Sequence, residues 1–283
     1  MNKKNILIIS KNTLAALPYI KIVTDYLLTR GCNVFCLSEK ARFFNGLNVA
    51  PLSYEELTKI DVALVFGGDG SILKAGRLLL PYNIPILGIN MGTLGYLTDV
   101  EPINALDAVK DYLDNRYSVE KRCTLSIKYG DSVFSGINEA VIHRGNLSHI
   151  LTINVNIDGQ NIETLRADGI IVSSPTGSTA YNLSAGGPIV TPLADALVLT
   201  PICAHSLTAR PIVLAGSNKI TLSVSDFRSD EKPSLDVDGK TVRQISDGSI
   251  VSIQVANEKL LLIHTKPTNF FKALQSKLSP QQI

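Results

Sequence analysis

Short apolar runs alternate with longer amphipathic stretches over the first 112 residues, and this alternation restricts the possible folds strongly. Strand patterns cover residues 5–10, 33–37, 62–66 and 86–89, and helical patterns cover residues 14–30, 71–80 and 103–112. Strands that alternate with helices predict a mainly parallel sheet covered on both faces. We therefore predict a Rossmann-like α/β domain whose ligands gather beyond the carboxyl ends of the strands.

The pattern changes to period two after about Tyr117. Polar turns at Gly130–Asp131 and Asp158–Gly159 separate the apparent strands. Later strand patterns cover residues 219–224, 234–237, 249–255 and 259–264, and a helical pattern covers residues 269–278. We predict an α/β domain over residues 1–118, completed by a C-terminal helix within residues 265–283. A β-rich, sandwich-like domain is predicted over residues 119–264.

Composition narrows the classes of partner. Of 283 residues, 45% are apolar and 18% are charged, so the chain can bury a large core. With 27 basic and 25 acidic residues and no lysine-rich tail, neither a nucleic-acid partner nor a membrane anchor is expected. The four cysteines form no CxxC pair and the histidines do not cluster with them, so we expect no metal site. No signal peptide or membrane span is evident, which favours a cytoplasmic protein with small-molecule partners.

The most informative motif is Gly67-Gly68-Asp69-Gly70, which follows the buried strand pattern and precedes a helical one. Glycines allow a phosphate to approach the backbone, and the first amides of a helix attract anions. A carboxylate among phosphates would repel them unless it oriented or deprotonated a hydroxyl or held Mg²⁺. The alternative is an ordinary turn with an aspartate helix cap. The motif is neither a Walker loop nor a GxGxxG fingerprint.

Two further segments carry polar groups. One runs from Asp168 through an apolar strand into Pro175-Thr176-Gly177-Ser178-Thr179-Ala180-Tyr181, whose hydroxyls and ring suit a nucleoside, although a capped helix after a turn would look the same. The other contains Asn138 and Glu139. A regular strand points neighbouring side chains to opposite faces, so only a strand end or a bulge could present both to one pocket. A solvated β edge is the alternative reading.

Taken together and in this order, these motifs resemble the NAD kinase family, and the resemblance extends to Gly186-Gly187-Pro188, residues 88–97 and the terminal helix. It implies transfer of the γ-phosphoryl group of ATP, with Mg²⁺, to the 2′-hydroxyl of the adenosine ribose of NAD, which produces NADP. Asp69 would be the catalytic base, and Gly67, Gly68 and Gly70 would leave room for phosphates. The donor could be ATP or polyphosphate, and a homodimer or homotetramer is implied.

The resemblance also assigns binding residues in the rest of the chain. Asn138 and Glu139 match contacts to adenine and ribose, Asp168 matches the acidic group at the nicotinamide end, and Tyr181 matches the packing ring. The remaining matched positions are Lys74, His149, Arg166, Thr176, Thr179, Ala180, Asn182, Leu183, Ser184 and Asp238. Lys74 and Arg166 could equally be solvated charges, His149 could be structural, and Asp238 could be a turn residue before Gly239.

Two residues depart from the family pattern, and two rival functions remain possible. Ser71 replaces the usual threonine and keeps its hydroxyl, whereas Tyr96 replaces the common phenylalanine and adds one. A lipid or sugar kinase could share the glycine-flanked aspartate but is not expected to share the Asn138–Glu139 pair and the segment from Asp168 to Tyr181. A non-catalytic dinucleotide-binding regulator would keep the pocket without the chemistry. A dehydrogenase is disfavoured because the dinucleotide fingerprint is missing.

Overall fold

The structure is a computed structural model, and it describes residues 3–11, 14–92, 95–145, 150–225 and 232–278. The chain divides into two compact units. Unit 1 comprises residues 1–121 and 260–283, and unit 2 comprises residues 122–259. Within the described residues, no helix is both long and apolar enough to cross a membrane.

Nineteen strands and five α-helices occur in the described ranges. The strands are β1 (Asn5–Ser10), β2 (Asn33–Leu37), β3 (Ala50–Leu52), β4 (Val62–Gly67), β5 (Ile86–Asn90), β6 (Ser118–Arg122), β7 (Leu125–Tyr129), β8 (Ser132–Gly136), β9 (Glu139–His143), β10 (Leu151–Ile157), β11 (Gln160–Ala167), β12 (Gly169–Ser173), β13 (Ala196–Ile202), β14 (Ile212–Ala215), β15 (Ile220–Ser225), β16 (Ser234–Val237), β17 (Lys240–Gln244), β18 (Ile250–Val255) and β19 (Leu260–His264). The helices are α1 (Leu17–Thr29), α2 (Asp69–Leu79), α3 (Ala105–Leu113), α4 (Tyr181–Ser184) and α5 (Phe270–Leu278).

Unit 1 is built on a seven-stranded sheet in the order β3-β2-β1-β4-β5-β19-β6. The pairs from β3 to β19 are parallel, and every residue of β4 and β5 is buried. Continuous burial is typical of parallel strands, which are covered on both faces. The carboxyl ends of β4 and β5 therefore bring Gly67 and Asn90 side by side at one edge of the sheet.

Two elements of unit 1 differ from the sequence-based expectation. Helix α2 begins at Asp69 rather than at Ser71, because extended Gly68 serves as its N-cap. The strand predicted over residues 259–264 was grouped with the β-rich region, but β19 pairs in parallel with β5 through Leu262 and Ile86. A short apolar run does not reveal which sheet will bury it, so periodicity alone could not separate these options.

Unit 2 consists of two six-stranded antiparallel sheets, β11-β10-β15-β18-β7-β8 and β14-β13-β12-β9-β16-β17. Its apolar core combines inward-facing residues of both sheets, among them Ile127, Ile170 and Leu222. The predicted hairpin at Asp158–Gly159 is present, with both residues at positive φ (50° and 85°). The predicted fold class, an α/β region followed by a β-rich region, is thus confirmed.

Candidate active site

Asp69 lies at the carboxyl end of β4, at the first position of α2. An acidic residue is favoured there because the helix dipole places partial positive charge at the N-terminus. Gly67 is sterically required, since a Cβ at this position would overlap the Ser71 side chain. Ser71, one of the two departures from the family pattern, thus packs against the turn that presents Asp69.

Two backbone amides hold the Asp69 carboxylate in place. The amide of Tyr96 donates to Oδ2 at 2.8 Å and that of Leu97 donates to Oδ1 at 3.0 Å. The loop approaches so closely that a Cβ on Gly95 would overlap the carboxylate. The Asp69 side chain still exposes 27% of its surface, so its oxygens can be reached from solvent.

The C-terminal helix α5 contributes a cation to this site. The Lys277 ammonium lies 3.4 Å from Oδ2 of Asp69 and 4.1 Å from the centre of the Tyr96 ring. That ring also packs against Phe270 of the same helix, with ring centres 6.0 Å apart. Burial, together with the charge of Asp69, raises the pKa of Tyr96. No local sequence motif marks Lys277, and only the resemblance of the terminal helix could have directed attention to it.

A buried histidine stabilises the loop that holds Asp69. His264, at the end of β19, lies 3.0 Å from Asp99 through Nδ1 and 3.3 Å from Glu120 through Nε2. Burial alone would lower the pKa of His264, but the two carboxylates outweigh it and raise the pKa to about 9. Asp99 follows Leu97 by two residues, so His264 anchors the segment whose amides bind Asp69. Sequence reasoning missed this group because its partners are far apart in the chain.

In unit 2, the Asn138–Glu139 pair occupies a strand end. Strand β8 ends at Gly136 and β9 begins at Glu139, which pairs with Ser173 at the end of β12. The Ser174 amide donates to the Asn138 carbonyl at 2.8 Å, and a Cβ on Gly177 would overlap the Asn138 backbone. The structure therefore brings Asn138 and Glu139 against the segment that begins at Thr176.

Asp238 holds this turn together from the β16–β17 hairpin. Its carboxylate accepts hydrogen bonds from the amides of Ile137 at 3.0 Å, Asn138 at 2.7 Å and Glu139 at 3.3 Å. Asp238 itself has a positive φ of 46°. Its position thus combines a turn residue with direct support for the Asn138–Glu139 pair.

Glu139 is the most perturbed carboxyl group in the described part of unit 2. It is only 5% exposed, and its Oε2 atom has no hydrogen-bond partner among the described residues. Burial and, to a smaller extent, the charge of Asp238 raise the pKa of Glu139 to about 7. A buried acceptor without a partner carries a free-energy cost that a donor from a ligand could remove.

The hydroxyl-rich segment after β12 divides into exposed and internal groups. Tyr181 exposes 45% of its surface and Ser184 is also exposed, whereas Thr179, Ala180 and Leu183 are half-buried. Thr176 is buried and its hydroxyl has no partner among the described residues. Asn182 is fully buried: its amide donates to the carbonyls of Ser178 and Pro188 and accepts from Thr200 at 2.6 Å. The Asn182 side chain therefore serves internal packing.

Other predicted residues lie apart from these groups. Asp168 precedes β12 at the end opposite Ser173, and Gly169 and Ser173 are about 13 Å apart along the strand. There Asp168 pairs with Arg144 at 3.0 Å, a partner that the sequence analysis missed, and Arg166 is exposed. Lys74 is exposed on α2, about 140° around the helix from Asp69. His149 lies outside the described residues.

No group of three His, Cys, Asp or Glu side chains in the described ranges could hold a metal ion. The Asp69 carboxylate at the carboxyl end of β4 already interacts with two amides and an ammonium. A parallel α/β sheet that ends in a glycine-rich turn with a held carboxylate is typical of a nucleotide-dependent phosphotransferase, the class of protein that best matches the fold and the site of unit 1.

Comparison with known proteins identifies the family. Residues 51–117 match the family model for the ATP-NAD kinase N-terminal domain, and residues 137–265 match the model for the ATP-NAD kinase C-terminal domain. The chain belongs to the ATP-NAD kinase family.

Individual relatives agree with this assignment. The chain is 39% identical to an NAD kinase of Yersinia pestis over 93% of this chain and 92% of the relative. It is 42% identical to an NAD kinase of Photorhabdus laumondii over 77% and 76% of the two chains. Among solved structures, yeast NADH kinase complexed with NADH matches with a TM-score of 0.87 and 26% identity, over 99% of this chain and 89% of that one. An NAD kinase from Archaeoglobus fulgidus in complex with ATP shares the fold, with a TM-score of 0.74 and 24% identity over 96% and 98%.

Proposed function

We propose that this chain transfers the γ-phosphoryl group of ATP to the 2′-hydroxyl of the adenosine ribose of NAD, producing NADP and ADP. The observation that carries the proposal is the Asp69 carboxylate, which two backbone amides hold at the edge of the parallel sheet while leaving it accessible. Family membership supplies the two substrates, since the relatives are NAD kinases.

Asp69 would act as the general base. Each carboxylate oxygen receives one backbone N–H and Oδ2 also receives the Lys277 ammonium, so Oδ1 keeps a lone pair for a hydroxyl donor. In the proposed reaction, the 2′-oxygen forms a bond to the γ-phosphorus while the bond from that phosphorus to the β,γ-bridging oxygen breaks. The hydroxyl proton passes to Asp69, and ADP leaves with the bridging oxygen.

The surroundings of Asp69 suit a phosphate chain. Gly68 and Gly70 have open space where a Cβ would lie, so phosphate oxygens could approach the backbone there. The N-terminus of α2 adds partial positive charge. Because the described residues provide no carboxylate cage, we expect Mg²⁺ to be held mainly by phosphate oxygens and water. When bound, it would neutralise charge on the phosphates.

The dinucleotide would be recognised by unit 2. Buried Glu139, with an oxygen that lacks a partner, is suited to accept from a ribose hydroxyl or an adenine amine. Exposed Tyr181 offers a face for ring stacking. Asp168, about 13 Å along β12 from this pair, would interact with another part of the extended ligand, consistent with the nicotinamide end. Asp238 and Asn182 would act by positioning these groups.

The direct test is to incubate the purified protein with NAD, ATP and Mg²⁺ and to measure NADP. Asp69→Asn should lower kcat by about 10²- to 10⁴-fold while NAD affinity by calorimetry changes little. Asp107→Asn is the matched control because Asp107 is an exposed carboxylate of α3 in the same unit. An equal loss of NAD binding and turnover in Asp69→Asn would contradict the assignment of Asp69 as the base.

The same assay separates the rival functions. Diacylglycerol and simple sugars replace NAD in parallel reactions, and their phosphorylation in preference to NAD would favour a lipid or sugar kinase. NAD binding without any NADP would favour a non-catalytic regulator. Polyphosphate in place of ATP defines the donor range. Light scattering on the same sample measures the expected homodimer or homotetramer.

A further inference from the structure

Helix α5 carries a feature of the active site that lies beyond the residues matched by either family model, which end at residue 265. The helix is amphipathic but has no buried residue among those described. Phe270 of this helix packs against the Tyr96 ring, and the Lys277 ammonium lies over the same ring and beside the Asp69 carboxylate.

We propose that Lys277 is a positioning residue for the phosphoryl transfer, which keeps the Asp69 carboxylate ionised and oriented when the phosphates of the donor arrive. This inference rests on the proposed function, because it assumes that Asp69 is the base. Lys277 would act through Asp69 rather than on the substrate.

The geometry gives the ammonium a defined place. The amides of Tyr96 and Leu97 each donate to one carboxylate oxygen, and Lys277 supplies an additional donor to Oδ2 at 3.4 Å. The ammonium of Lys277 also lies over the Tyr96 ring, 4.1 Å from the ring centre, and this contact restricts the conformations of the side chain. The ring that receives the cation belongs to the same residue whose amide binds Oδ2. Tyr96 therefore contacts both Asp69, through its amide, and helix α5, through its ring.

Electrostatics explains why such a cation would matter. A triphosphate brings several negative charges close to Asp69, and nearby like charges favour protonation of a carboxylate. A protonated Asp69 cannot accept the hydroxyl proton. An ammonium at 3.4 Å opposes this effect, and because Lys277 is 34% exposed, the opposition is partly screened by solvent.

Other charged groups near Asp69 are less well placed for this role. Tyr96 faces the carboxylate with a phenol whose pKa is raised, so it is neutral. His264 carries a positive charge, but this charge is paired with the carboxylates of Asp99 and Glu120. On α2 itself, Lys74 points about 140° away from Asp69. Arg77, two turns along the same helix, is half-buried.

The test compares Lys277→Met, Lys277→Arg and Lys272→Met. Methionine keeps an apolar stem that can still pack on Tyr96, and arginine keeps the charge. Lys272→Met removes an exposed lysine from the same helix. For each variant, kcat/KM for NAD is measured from pH 5 to 9, together with KM for ATP and the melting temperature.

The proposal predicts that the acidic limb of the Lys277→Met profile moves upward, so that the variant loses turnover at the acidic end of the range and keeps it at the alkaline end. Lys277→Arg should restore the limb, and Lys272→Met should match the unmodified chain. An unmoved acidic limb would overturn the proposal. So would a raised KM for ATP with an unmoved limb, since Lys277 would then bind phosphate.

A second readout is independent of turnover. The amide signals of Tyr96 and Leu97 report the protonation of Asp69 in a ¹⁵N NMR titration, because both amides donate to that carboxylate. Their midpoint should rise in Lys277→Met and not in Lys272→Met, and equal midpoints would refute the proposal. If the unmodified chain formed no NADP, the proposed function would fail while this titration still decided the role of Lys277.

Discussion

Replacement of His264 by glutamine should remove a pH-dependent part of the stability of unit 1. His264 is 8% exposed and lies between Asp99 and Glu120, at 3.0 and 3.3 Å. Glutamine approximates the size of the imidazole and keeps its hydrogen-bonding capacity, but it cannot carry the charge that the two carboxylates require.

The magnitude follows from the pKa of His264, which is about 9 in the folded chain and about 6.5 when unfolded. This difference corresponds to about 3 kcal/mol of free energy of unfolding. Because the folded pKa is the higher one, the stabilisation is fully present below about pH 6.5. It then decreases as the pH rises and is lost above about pH 9.

Urea unfolding at pH 6, 7.5, 9 and 10 measures this dependence in both chains. At pH 6, His264→Gln should be less stable than the unmodified chain by about 3 kcal/mol, and the difference should shrink to below about 1 kcal/mol at pH 10. His205→Gln serves as the control because His205 is exposed and lies in unit 2. A stability difference that stays constant from pH 6 to pH 10 would refute the reasoning, since it would show that His264 acts by packing and not by charge.

Two further predictions concern groups near the proposed substrates. Gly95→Ala should reduce kcat by at least tenfold, because the new Cβ overlaps the Asp69 carboxylate. Gly92→Ala is the control and should retain activity, because a Cβ at that position has open space. Equal rates of the two variants in steady-state assays would show that the loop moves to accommodate the Cβ. Glu139→Gln should raise the free energy of unfolding above that of the unmodified chain at pH values above about 7, where the buried carboxyl group must ionise. Below about pH 4.5 the substitution should have little effect on this free energy. Urea unfolding at pH 4.5 and 8.5 measures this, and a larger gain at the lower pH would contradict the role of burial.

Local sequence pattern was sufficient to predict much of the fold. The buried runs at β1, β4 and β5 and the intervening amphipathic stretches are visible within windows of 5 to 15 residues, because periodicity is a local consequence of which face is buried. The turn at Asp158–Gly159 was equally readable, since these residue types tolerate positive φ. The glycine-flanked Asp69 could be located at a sheet edge for the same reason.

The contacts that set the environments of Asp69 and Glu139 could not be predicted from local sequence pattern. Lys277 lies 208 residues after Asp69, and Asp238 lies 99 residues after Glu139. No periodic pattern links positions so far apart, and His264, Asp99 and Glu120 are ordinary polar residues in their local segments. Local pattern therefore predicts only a ligand contact or a turn residue at Asp238, and it gives no signal for Lys277 and His264.

The sequence by itself determined the alternation of strands and helices over the first 112 residues, the two classes of sheet and the residue types available for phosphate chemistry, because these depend on neighbours in the chain. Tertiary structure alone decided that β19 joins the parallel sheet and that the loop after Gly95 donates its amides to the Asp69 carboxylate. It also decided that the ammonium of Lys277, from the last helix, lies beside that carboxylate. Hydrogen bonds and ion pairs act over a few ångströms, so the charge state and orientation of a side chain depend on which distant segments the fold brings within that range.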